Sequence, residues 1–111
     1  MQALERVSRA RFVRKICDVI RTEHADLTGE VPDAELRDRV AQSCELADRY
    51  RLLIEADVYE FCVLCLVLGT DWLQVPEHQW AHAILNKTAE RADIRLFQIR
   101  EQLQAAAGDG E

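Results

Sequence analysis

The chain has 111 residues, 49% of them apolar, with four glycines, two prolines and a net charge of −6. That length fits one domain, residues 1–111, and the composition excludes a largely disordered polymer. The longest apolar run, Phe61 to Leu68, falls far short of the roughly 20 residues that a spanning helix requires.

The charge is unevenly spread. Residues 1–15 carry Arg6, Arg9, Arg11, Arg14 and Lys15 against Glu5, while the remainder is strongly acidic. An acidic body repels nucleic acid and anionic membranes, so neither is an expected partner. The basic end, with Arg11, Arg14 and Lys15, is the one part suited to either of these, or to an acidic protein partner. No signal-peptide core follows Met1, and a cytoplasmic location is the expectation.

Strand-like alternation is missing and helical spacing recurs, which predicts an all-α fold. The first helix is expected from about Ser8 or Arg9 to His24, with Phe12, Val13, Ile16, Cys17, Val19 and Ile20 in one arc. Arg11, Arg14, Lys15, Asp18 and Arg21 fall opposite, with Arg14 and Asp18 spaced for an ion pair. Residues 1–7 and 107–111 are expected to be flexible. Asp26 to Pro32 reads as a loop, and Pro32 suits the first turn of a second helix. That helix places Leu36, Val40, Ser43, Cys44, Ala47, Tyr50 and Ile54 on one stripe and is expected to end between Leu52 and Glu55.

The third helix, about Ala56 to Leu68, is apolar all round after Glu60. Such a helix is expected to be enclosed by other protein, which makes it the centre of the fold. Gly69 follows as a left-handed cap. A short fourth helix opens at Pro76 and runs through about Leu85, anchored by Trp80 and Ile84. The fifth, about Thr88 to Ala106, puts Ala89, Ala92, Leu96, Ile99 and Leu103 on one arc. The predicted architecture is a compact bundle of four to five helices around a buried central one.

Three groups of residues carry candidate chemistry. Cys62 and Cys65 have the spacing of a dithiol redox pair, but a mid-helix apolar setting raises a thiol pKa and favours inert packing. Cys17 and Cys44 also lie on apolar arcs, so four buried reduced cysteines are expected and no zinc site. His78 and His82, at i and i+4, share a helix face that suits a metal, although Gln79 stands where a zinc protease has glutamate. No metal or other cofactor is therefore expected. Ile94 and Phe97 lie off the main stripe of the fifth helix. They either pack against the first helix or mark a partner surface.

Much of the chain, from Phe12 to Leu103, resembles a small helical family associated with bacterial type VI secretion and toxin gene clusters. The resemblance rests on Pro32, Asp33, Ala34, Glu35 and Leu36, then on Ala47, Asp48, Arg49, Tyr50 and Leu53. It continues through Glu55, Ala56, Asp57, Val58, Phe61 and the run Leu66 to Gly69. Asp71, Trp72, Leu73, Pro76, Trp80, Ile84 and Leu85 complete it. The family usually has glycine just before the Leu53 position, where this chain has Arg51 and Leu52. What the resemblance implies is a helical accessory protein: an adaptor, a chaperone-like protein or an immunity protein beside a secreted effector or toxin.

The leading expectation is a non-enzymatic protein-interaction module that binds a protein partner or a second copy of itself through Ile94, Phe97, Arg11, Arg14 and Lys15. The rival is a metal-dependent or thiol-redox enzyme using His78 and His82, or Cys62 and Cys65.

Overall fold

A computed structural model describes the backbone of residues 2–109 and the side chains of residues 9–106. The side chains of residues 1–7 and 107–111, expected to be flexible, lie outside the described ones, while the helical backbone begins at Gln2 and not at Ser8 or Arg9, and runs to Asp109 and not to Ala106. The described residues form an all-α fold with six α-helices, one more than the largest number expected. Each main helix packs on the next in the spatial order α1 (Gln2–Glu23), α3 (Asp33–Arg49), α4 (Glu55–Leu68), α6 (Ala92–Asp109) and α5 (Gln79–Leu85).

Helix α1 buries Val13, Ile16, Cys17 and Ile20, which recur every three or four residues and therefore share one face. After a break at His24 (φ −129°, ψ 50°) a short helix follows, α2 (Ala25–Thr28), where a loop was expected from Asp26. The cause is Arg21. Its Nη1 donates to Thr28 O at 2.9 Å and its Nη2 to Val31 O at 2.6 Å, with Asp33 at 2.7 Å. The arginine thus ties the carbonyls of the α2–α3 connection back to α1, beside the Val31 N–H that also reaches Thr28 O at 3.0 Å. The spaced pair Arg14 and Asp18 is absent from the ion pairs of the described residues. Lys15 instead reaches Glu55 on α4 at 3.0 Å, and Arg9 pairs with Asp48 on α3.

Helix α3 begins one residue later than expected, because Pro32 stays extended and Leu36 N–H bonds its carbonyl at 2.9 Å. Asp33 and Glu35 sit in the first turn, where the helix dipole favours carboxylates. The stripe Leu36, Val40, Ser43, Cys44, Ala47 and Tyr50 is buried as predicted. The helix stops at Arg49, earlier than expected. Arg51 adopts a left-handed conformation (φ 59°), and Leu52 N–H reaches back to Ala47 O at 2.9 Å. This closure satisfies a terminal carbonyl, buries Leu52 and turns Ile54 away from the stripe to 66% exposure.

Helix α4 corrects the central expectation. Val58, Phe61, Cys62 and Cys65 form one buried face, but Leu64, Leu66 and Leu68 are only half-buried and Val67 is 56% exposed. A bundle this small surrounds α4 with only α3 and α6 as main neighbours, so one side of it stays uncovered.

Gly69 ends α4 with φ 97° and ψ 149°, a conformation that glycine reaches without Cβ strain, rather than the left-handed helical cap expected. Two 3-10 turns follow, Trp72–Gln74 and Pro76–His78, before α5. Trp72 is fully buried, with its ring 6.4 Å from Phe61 and 5.5 Å from His78. The segment after Leu85 interrupts the helix, so α6 starts at Ala92 and not at Thr88, and Ala89 is exposed. Leu96 and Ile99 supply the buried face of α6.

Candidate interaction face

The uncovered side of α4 and the outer side of α6 form the main candidate site. Ile94 is 42% exposed and Phe97 53%, so neither is enclosed in the core. Of the two readings open in the sequence, the described structure contains the exposed one. Both residues sit on the outward arc of α6 because Leu96 and Ile99 take the inward one.

Arg100 links this pair to α4. Its guanidinium lies 6.0 Å from the Phe97 ring centroid and pairs with Glu60 at 2.8 Å. Beyond it, a groove of about 460 Å³ runs along α4, lined by Ala56, Tyr59, Val63, Leu64, Arg100 and His24. Tyr59 closes one wall by donating its hydroxyl to Glu23 at 2.6 Å. Burial and this bond to a carboxylate push the phenol up to about 12. The groove therefore has an apolar floor and polar, mutually paired edges, which is the composition of many protein interfaces.

The remaining partner candidates, Arg11, Arg14 and Lys15, are exposed on α1. Lys15 is tied to Glu55, which leaves Arg11 and Arg14 as the outward charges of that stretch. Sequence reasoning missed Glu60, Val63, Leu64 and Arg100. Val63 and Leu64 are apolar in the sequence, but on a helix apolar all round nothing marks them as facing outward.

The cysteines are free and buried. Cys62 faces Cys44 on α3 rather than acting with Cys65. The first proton leaves Cys44 more readily because the Cys62 thiol stabilises that thiolate, and Cys62 is held well above the usual thiol range beside it. Burial pushes Cys65 and Cys17 up as well. The Trp72 indole Nε1 has no hydrogen-bond partner among the described residues, and the Cys65 sulfur is a polar atom near it.

The two histidines do not share one helix. His78 ends a 3-10 turn and its Nδ1 bonds Trp72 O at 2.9 Å. His82 lies in α5, and its Nδ1 bonds the Tyr50 hydroxyl at 2.8 Å, which pins α5 to the end of α3. Among the described residues no group of three or more His, Cys, Asp and Glu side chains is placed to hold a metal ion. No described helix is long and apolar enough to cross a membrane.

No family model matches the chain, and neither the curated proteins nor the solved structures contain a significant relative.

Proposed function

We propose that the chain is a non-enzymatic protein-interaction module that docks a protein partner through Ile94, Phe97 and the groove along α4. The observation that carries this reading is the exposure of Ile94 and Phe97 beside the uncovered apolar side of α4. An apolar patch rimmed by paired charges excludes water well when a complementary surface covers it. Arg11 and Arg14 add a basic face that attracts an acidic partner. The resemblance to helical proteins of type VI secretion and toxin clusters supports an accessory role in the cytoplasm, as adaptor, chaperone-like protein or immunity protein.

The test compares the parent with Phe97→Glu and with the double variant Ile94→Glu, Phe97→Glu. Circular dichroism and melting should be close to the parent, because both side chains are largely exposed. Affinity capture from the native host, together with light scattering for self-association, should show one specific partner or dimer that the variants lose. Equal capture or equal dimerisation by a folded double variant refutes this face. Unfolding of both variants refutes the exposed placement.

A further inference from the structure

A second groove, between the α3–α4 connection and the start of α6, holds two charges of opposite sign that do not pair. Arg95 is 2% exposed. Its Nε donates to Glu90 O at 3.1 Å, and its Nη1 donates to Tyr50 O at 2.8 Å and Leu85 O at 2.7 Å. A guanidinium has five N–H donors, and these bonds use three. Among the described residues Nη2 finds no acceptor and no carboxylate lies within ion-pair distance of Arg95.

Asp57, in the first turn of α4, is 8% exposed and has no side-chain hydrogen bond or ion pair among the described residues. Both residues line one groove of about 560 Å³, together with Leu53, Ile54 and Ala92 and, at exposed positions, Arg51, Thr88 and Glu90. Arg91 and Asp93 at its edge neutralise each other at 2.9 Å. Burial raises the Asp57 carboxyl and lowers the Arg95 guanidinium, so each charge is less well solvated than it would be in free water. An unpaired, poorly solvated charge is costly, and two of opposite sign in one apolar-walled groove are relieved together by a ligand carrying both complements.

We propose that this groove binds a free α-amino acid with an aliphatic side chain. The ligand carboxylate accepts from Arg95 Nη2, its ammonium donates to Asp57, and its side chain lies against Leu53, Ile54 and Ala92. Asp57 also lines the groove along α4, so the two sites adjoin, but Arg95, Leu53, Ile54 and Ala92 line this groove and not that one.

The test is an NMR titration of the full, isotope-labelled chain with three probes: L-leucine, 4-methylpentanoate, which lacks the ammonium, and leucinamide, which lacks the carboxylate. L-leucine should give saturable amide shifts at Leu53, Ile54, Ala92 and Arg95. Each of the other probes should bind about tenfold or more weakly, the loss expected for one charged hydrogen bond. Asp57→Asn should weaken L-leucine by a similar factor and leave 4-methylpentanoate unchanged. Ile54→Ser, at an exposed wall position, should weaken L-leucine several-fold with the fold intact. The proposal is overturned if L-leucine gives no saturable shift, or if 4-methylpentanoate binds the parent as tightly. It is also overturned if folded Asp57→Asn binds L-leucine like the parent. Should Asp57→Asn fail to fold, the probe series and Ile54→Ser still decide.

Discussion

Arg95 holds three chain segments at once, and its removal should be among the most damaging single changes. Its donors close the carbonyls of Tyr50 at the end of α3, Leu85 at the end of α5, and Glu90 just before α6. The Arg95→Met variant keeps much of the apolar stem but leaves those acceptors without their donor. A hydrogen bond to a charged group contributes about 1.5–3 kcal/mol, and three would exceed 4 kcal/mol if they added fully. The buried guanidinium, with its pKa lowered by desolvation, offsets part of that. A net loss of about 3–5 kcal/mol is therefore expected, a large share of a stability of about 5–15 kcal/mol. Urea unfolding followed by circular dichroism measures it. With a slope of about 1.5 kcal/mol per molar, the midpoint should fall by about 2–3 M. Arg95→Lys should lie between parent and Arg95→Met, because one ammonium cannot fan out to three carbonyls. A midpoint for Arg95→Met within about 0.5 M of the parent, at unchanged slope, refutes the capping role.

The two sides of α4 should respond differently. Phe61→Ala, at a fully buried site, should cost about 3–5 kcal/mol, whereas Val67→Lys should stay within about 0.5 kcal/mol of the parent. Equal costs in chemical denaturation would mean that α4 is enclosed after all. Tyr59 predicts an alkaline effect. Its phenol is raised from 10 to about 12 in the fold, so the neutral form is favoured by folding. That contribution is complete below the unfolded value and disappears as pH rises from 10 towards 12. Tyr59→Phe should flatten the melting temperature across that window relative to the parent, and tyrosinate absorbance should report one late-titrating phenol that the variant lacks. A parallel decline in both proteins contradicts the Tyr59–Glu23 bond as the source.

Helical class, the main segments and most of the core were legible in the sequence. The stripe from Leu36 to Tyr50 could be read in advance because α3 has one apolar face, and spacing alone identifies it. The same reasoning failed on α4. When every side is apolar, spacing contains no direction, so the distinction between Phe61 inside and Val67 outside was invisible. Arg21 and Arg95 were missed for a related reason. Their partners are backbone carbonyls, which carry no residue identity, and Tyr50 O lies 45 residues from Arg95 in the chain.

By itself the sequence determined where the main helices lie, though not the short helix Ala25–Thr28 or the start of α6, because turn residues and 3.6-residue periodicity act over short distances. It also determined that the cysteines lie among apolar residues. Only the tertiary structure decided which side of α4 remains bare, whether Ile94 and Phe97 pack or project, and that Asp57 and Arg95 share a groove without pairing. Those outcomes depend on how many neighbours a small bundle can place around one helix. That number is set by packing between segments far apart in the chain.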